Sequence, residues 1–256
     1  MCNVNKVIGI IPARYGSTRF PGKPLVPILG KTLLQRTYEN AQRAACLDTL
    51  LVATDDQRIM DHVESFGGVA IMTSKDCLNG TDRIAEVLQH YPEYLEAAAI
   101  VNIQGDHPCL DPLAIHAVAH LLISHPDIPM STVVAPLCTE EEAHNLSVVK
   151  CVLDQQQHAL YFSRHILPAN IQGKFNASHT YFHHMGLYAY RPSFLLTYQK
   201  LRPTPLQLAE DLEQLKVLEH GYRIKVAIIN QSNIGVDTPE DISKIERWIC
   251  TQNTFL

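Results

Sequence analysis

No run of about 18 apolar residues occurs in the 256 residues, so no segment has the makings of a membrane-spanning helix. Residues 1–11 carry one lysine, a short apolar run and no small-residue cleavage site, which does not read as a secretory leader. Positive charge is in the minority. A net charge of −5 argues against a general nucleic-acid binder. No C-x-x-C pair exists among the seven cysteines, and their number is odd, which fits free thiols in a reducing cytoplasm better than a disulfide framework. No H-E-x-x-H occurs either. His179, His183 and His184 lie close in sequence without a zinc pattern, so no zinc is expected. No internal repeat, low-complexity tract or linker breaks the chain, and the simplest expectation is one domain over residues 1–256.

What is present is an alternation of two periodicities. Apolar runs at 7–11, 50–53, 69–72 and 98–103 read as buried strands. Between them Leu34, Tyr38, Ala41 and Ala45 fall on one helical face, and Ile59, Val63 and Phe66 mark a helix stopped by Gly67-Gly68. Residues 80–91 and 112–125 predict two more helices. Such alternation implies an α/β fold with a mostly parallel sheet and helices on both faces. The second half is richer in strands, at 132–135, 148–153, 159–163, 185–190 and 224–229. Leu208, Leu212 and Leu215 predict an amphipathic helix among them. Thr238-Pro239-Glu240-Asp241 opens a final helix, with Thr238 as cap and Ile242, Ile245 and Ile249 as its buried stripe.

Open α/β sheets bind ligands beyond the carboxyl ends of their strands. After the first strand come Arg14, Ser17, Thr18, Arg19 and Lys23, with Gly16 and Gly22 allowing close backbone approach. The chain has six cations and no anion before Glu39. Charge neutralisation, hydroxyl donors and a loop at a strand end are what a triphosphate requires. The two commonest phosphate loops fail. G-x-G-x-x-G is absent, and in a Walker loop Gly16 to Gly22 is one residue too long and Pro24 replaces the magnesium-binding hydroxyl.

The segment Val7 to Leu25 resembles the signature I-I-P-A-R-x-x-S-T-R-x-P-G-K-P-L of the 3-deoxy-manno-octulosonate (KDO) cytidylyltransferases. Further blocks resemble that family in order along nearly the whole chain. They are Gly80-Thr81-Asp82-Arg83, Tyr161-Phe162-Ser163-Arg164, His184-Met185-Gly186-Leu187-Tyr188, Leu212-Glu213-Gln214-Leu215 and Gly235-Val236-Asp237-Thr238-Pro239-Glu240-Asp241. The resemblance implies a Rossmann-like nucleotidyltransferase fold with a smaller strand-rich part for sugar binding and dimerisation. It implies CTP and KDO as substrates, CMP-KDO and pyrophosphate as products, use of the product in lipopolysaccharide synthesis, and a homodimer.

By the same resemblance Ala13, Arg14, Ser17, Arg19, Lys23, Thr81 and Arg83 bind the nucleotide. Lys23, Arg19 and Asp106 carry catalysis, and Asp106 and Asp237 hold Mg2+. Both aspartates also have plainer readings, as a turn residue after Gly105 and as favourable charge at a helix start. Gln104, Arg164, His184, Tyr188, Glu213 and Gln214 fall to the sugar, with Arg164 suited to a carboxylate. The family's Q-G-D-E-P becomes Gln104-Gly105-Asp106-His107-Pro108 here, an imidazole where an acid is usual. Two other readings stay open: a sialic-acid cytidylyltransferase, and a nucleotide-sensing module without catalysis. The side chains alone do not separate CTP from UTP, or KDO from its 8-amino analogue.

Overall fold

A computed structural model describes residues 5–16, 20–230, 235–236 and 238–253. Strand β1 (Val7–Ala13) is buried along nearly its whole length, as an apolar run without alternation requires in a sheet covered on both faces. A small ribbon, β2 (Pro27–Ile28) with β3 (Lys31–Thr32), leads into helix α1 (Leu33–Gln42). The Thr32 hydroxyl caps α1 by accepting from the Gln35 N–H at 3.1 Å. Leu34, Tyr38 and Ala41 face the core as expected. The helix stops before Ala45, which is exposed, and Ala44 takes the buried place.

Strand β4 (Thr49–Thr54), helix α2 (Gln57–Ser65) and strand β5 (Ala70–Met72) follow, with α2 ending just ahead of Gly67-Gly68. Then come α3 (Gly80–His90), β6 (Ala99–Asn102), α4 (Pro112–Ser124), β7 (Met130–Pro136) and a short α5 (Glu140–His144). The hairpin β8 (Lys150–Leu153) and β9 (Ala159–Ser163) precedes the long β10 (Phe182–Tyr190). The remaining elements are α6 (Pro192–Lys200), α7 (Pro205–Glu210), α8 (Leu215–Glu219), β11 (Ile224–Ile228) and α9 (Pro239–Asn253).

The central sheet runs β11-β7-β10-β6-β1-β4-β5. The pairs β1–β4, β1–β6, β4–β5 and β11–β7 are parallel, and β10 alone runs against its neighbours β6 and β7. Helices α1, α2 and α4 cover one face with a continuous apolar layer. Helices α3, α6 and α8 cover the other. The strand-rich second half is therefore mostly central sheet. Only β8 and β9 project from it, joined through the pairing of Lys150 with His183.

One expected helix is two. Leu208 is 70% exposed, and the chain breaks at Asp211, whose φ of 53° is left-handed. Leu212 and Leu215 are buried beyond the break. The break turns Glu213 and Gln214 toward β10, a placement that a continuous helix would not give. In α9, Ile245 is fully buried with Ile242 and Ile249 packed beside it, and the Asp241 carboxylate accepts from the Thr238 N–H at 3.0 Å.

Candidate active site

The chain leaves β1 toward β4 and β5, then returns to β6 on β1's other side. This reversal opens a crevice at the carboxyl ends of β1 and β6, where doubly wound sheets bind ligands. A cleft of about 300 Å³ lies there. Pro12, Ala13 and Arg14 line it from the end of β1, and Lys23 and Pro24 from the loop that follows. Asn79, Gly80 and Arg83 contribute from the start of α3, and Gln104, Gly105 and Asp106 from the end of β6.

Two glycines make the cleft possible. Gly22 sits at φ +70°, where a Cβ would meet the Tyr15 hydroxyl at 3.1 Å, and its N–H donates to the Tyr15 carbonyl at 3.0 Å. The loop thus doubles back and brings Lys23 over the strand ends. The Arg58 guanidinium stacks 3.4 Å from the Tyr15 ring centre and pins that fold from outside. Gly80 lets the N-terminus of α3 pack against β1, since a Cβ there would lie 3.0 Å from Pro12 Cγ. The Asn79 side chain caps α3 by accepting from the Asp82 N–H at 2.8 Å. The positive end of α3 therefore faces the cleft.

Within the cleft, Lys23 Nζ donates to Asp106 Oδ2 at 2.7 Å. His107 Nε2 lies 3.6 Å from the other carboxylate oxygen. Burial pushes the Asp106 pKa up, but the neighbouring His107 and Lys23 outweigh it and hold the carboxyl below its usual range. The Asp106 carbonyl accepts from the Val236 N–H at 2.9 Å, tying the end of β6 to the start of the segment that leads into α9. His107, the departure from the family's acid, is thus an imidazole beside the cleft carboxylate.

Arg83 is a different case. Its guanidinium is buried and donates to Asp55 Oδ2 at 2.8 Å, to Thr73 Oγ1 at 2.5 Å and to the Ser74 carbonyl at 3.2 Å. It borders the cleft while bolting the ends of β4 and β5 to α3. Asp55→Ala would strand this buried cation. We expect a loss of about 3–5 kcal/mol of stability, read by urea unfolding. A loss under about 1 kcal/mol would mean that the pair is solvated.

The residues expected at the sugar gather on the other flank of Gln104, around β10. Gly186, at φ +66°, lies within a register shift of β10 between His184 and Tyr188, and a Cβ there would come 3.9 Å from Gln104 Cγ. The Tyr188 hydroxyl donates to Gln214 Oε1 at 3.1 Å. Glu213 accepts from the hydroxyls of Thr81 and Tyr198, each at 3.3 Å, and withdrawal from water pushes its pKa up. Arg164 uses its guanidinium on the carbonyls of Glu210 at 2.8 Å, Asp211 at 3.1 Å and Leu146 at 3.3 Å. It braces the α7–α8 break while its side chain stays 35% exposed. Lys150, fully buried, braces the same corner by donating to the carbonyls of Asn145, Val148 and Arg164.

His184 is a core residue in this arrangement. Its Nε2 meets Thr132 Oγ1 at 2.9 Å, and its ring packs edge-on against Phe162. Burial pushes its pKa down to about 3 and that of His183 to about 4, against a usual 6.5. The unfolded chain therefore binds protons below pH 6.5 that the folded chain refuses, and stability falls as pH drops from about 6.5 toward 4. The melting temperature is expected to decline over that window, with a shallower decline in His184→Phe. An equal slope in both proteins would contradict a neutral buried His184.

Ser17, Thr18, Arg19 and Asp237 lie outside the described residues. Among the expected nucleotide ligands, Ala13, Arg14, Lys23 and Arg83 border one cleft, while the buried Thr81 side chain turns to Glu213 instead. Sequence reasoning missed Asp55, Asn79, Asn102, Tyr190 and Tyr198. Asn102 carried a usable signal, as a polar side chain inside an apolar strand run.

A doubly wound sheet with a cationic loop after its first strand, an aspartate after β6 and a second polar flank on β10 defines a nucleotidyltransferase. The chain belongs to the cytidylyltransferase family, whose model matches residues 8–225. It is 66% identical to a 3-deoxy-manno-octulosonate cytidylyltransferase of Protochlamydia amoebophila, over 98% of this chain and 97% of the relative. A protein of the same name from Chlamydia abortus is 49% identical over 96% of this chain and 94% of its own. The solved structure of a CMP:2-keto-3-deoxy-manno-octonic acid synthetase complexed with CTP superposes with a TM-score of 0.89. It is 38% identical and covers 97% of this chain and 100% of its own.

Proposed function

We propose that the protein transfers CMP from CTP to KDO, giving CMP-KDO and pyrophosphate and so activating the sugar for lipopolysaccharide synthesis. The observation that carries this reading is the pairing of Lys23 with Asp106 at the mouth of the β1–β6 crevice, in a chain 66% identical to a 3-deoxy-manno-octulosonate cytidylyltransferase. The sugar's anomeric oxygen forms a bond to the α-phosphorus as the bond to the β-phosphate oxygen breaks. The hydroxyl proton is lost and pyrophosphate leaves. Lys23, Arg14 and Arg19 neutralise the triphosphate and the departing pyrophosphate, so that positioning and electrostatics do most of the work. Ala13, Ser17 and Arg83 complete the nucleotide side.

The donor set suits magnesium. Asp106 is held ionised at the edge of a cleft sized for phosphates, and magnesium takes one or two carboxylates with phosphate oxygens and waters. Asp106 and Asp237 would hold it. When bound, it would supply positive charge against the phosphate oxygens as negative charge develops there. On the acceptor side, Arg164 offers guanidinium donors to the sugar carboxylate. Gln104, Tyr188, Glu213 and Gln214 offer partners to its hydroxyls, with His184 shaping the wall behind them.

A cytoplasmic homodimer completes the proposal. Among the described residues, no helix is long and apolar enough to cross a membrane. No nucleic acid or membrane partner enters the reaction. Pyrophosphate release with CTP should be rapid with KDO, weak with sialic acid and absent without sugar. Equal release with sialic acid would overturn the sugar choice, and no release with any acid sugar would overturn the enzyme.

A further inference from the structure

Thr81 stands in the first turn of α3, next to the cleft-lining Gly80, yet its side chain turns away from the cleft. It is 1% exposed and lies beneath the helix, against the sheet. Its hydroxyl reaches Glu213 at 3.3 and 3.5 Å, and the Asn102 side-chain amide donates to that hydroxyl at 3.4 Å. A threonine hydroxyl has one proton. One of its lone pairs accepts from Asn102, and a carboxylate can only accept, so that proton is the one shared with Glu213. Around this relay, among the described residues, Asn102 Oδ1 and Gln214 Nε2 are buried without a hydrogen-bond partner, and the buried Tyr190 hydroxyl lies beside Thr81 and Asn102 without a well-formed bond to either. Loose contacts of 3.3–3.5 Å and open valences describe a polar nest that is assembled and not yet tightened. Catalytic hydrogen bonds commonly shorten only when substrate arrives.

We propose that Thr81 and Asn102 are positioning residues for the acceptor sugar, acting through Glu213, and that Thr81 is not a nucleotide ligand. The proposal rests on the reading of Glu213 as a partner of sugar hydroxyls. Because Thr81 rides on the helix whose N-terminus lines the nucleotide cleft, the same contact joins the two halves of the site. Nucleotide that settles α3 also settles Glu213, and by linkage the sugar returns the effect on nucleotide affinity.

The test separates the two flanks. Thr81→Val keeps size and β-branching and removes the hydroxyl. It should raise the KM for KDO about tenfold, a change of roughly 1.4 kcal/mol. The Kd for CTP, measured without sugar, should stay within about twofold, and Thr81→Ser should restore the KDO value. A raised CTP Kd with an unchanged KDO KM would place Thr81 on the nucleotide and overturn the proposal. So would equal changes on both sides, or no change on either. A second readout needs no substrate: thermal denaturation of Thr81→Val, Glu213→Gln and the double variant should be non-additive, and additive losses would overturn the link. If the wild-type protein turned over no acid sugar, the proposed function would fail, while this cycle would still decide the link between Thr81 and Glu213.

Discussion

Lys23→Ala is expected to lower kcat/KM with CTP by about ten- to a hundredfold while leaving the fold intact. A charge-assisted contact is worth about 1.5–3 kcal/mol, which converts to that range of rate. The lysine stands where the doubled-back loop meets the end of β6, bonded to Asp106 at 2.7 Å. Its ammonium is already desolvated and aimed, so little reorganisation separates it from a phosphate oxygen. Part of the loss should appear in kcat, since the departing pyrophosphate gains negative charge as the reaction proceeds. Full activity in Lys23→Ala would remove the loop from the reaction.

Asp106→Asn should cost more, on the order of a hundred- to a thousandfold, comparable to removing a preorganised charged group at the point where charge develops. The substitution is nearly isosteric and keeps the hydrogen-bonding length of the side chain. It leaves the Asp106 carbonyl free to accept from Val236 as before. What it removes is the negative charge that pairs with Lys23 and, in the proposed function, holds magnesium. Activity in Asp106→Asn should rise with added magnesium far beyond the wild-type optimum. A variant with wild-type kcat and an unchanged magnesium requirement would show that the carboxylate only closes a turn.

The parallel half of the sheet was legible because its strands are unbroken apolar runs and its helices carry 3.6-residue stripes. The runs at 7–11, 50–53 and 98–103 and the helix at 80–91 match β1, β4, β6 and α3 to within two residues at each end. The break between α7 and α8 was not legible. Leu208, Leu212 and Leu215 have helical spacing, but Asp211 adopts a left-handed turn that only tertiary partners stabilise, among them the Arg164 guanidinium on the Glu210 and Asp211 carbonyls.

The cleft side of the site was legible for a related reason. Lys23 and Asp106 each follow a strand, and strand ends meet at the switch point whatever the intervening sequence does. The direction of the Thr81 side chain was not, since a single residue step, about 100° around the helix, separates the cleft-lining Gly80 from the sheet-facing Thr81. Nor was the engagement of Arg83, whose partner Asp55 comes from another strand end. For His184, the family block fixed the position, but its burial against Phe162 and Thr132 comes from the pairing of β10 with β7.

The most direct measurement is phosphorus NMR of the protein incubated with CTP, KDO and magnesium. The expected result is loss of the three CTP resonances with equal appearance of pyrophosphate and of one phosphodiester signal, that of a CMP-sugar. Release of inorganic phosphate with CDP, or a nucleotide spectrum unchanged by KDO, would contradict transfer of CMP at the Lys23–Asp106 cleft.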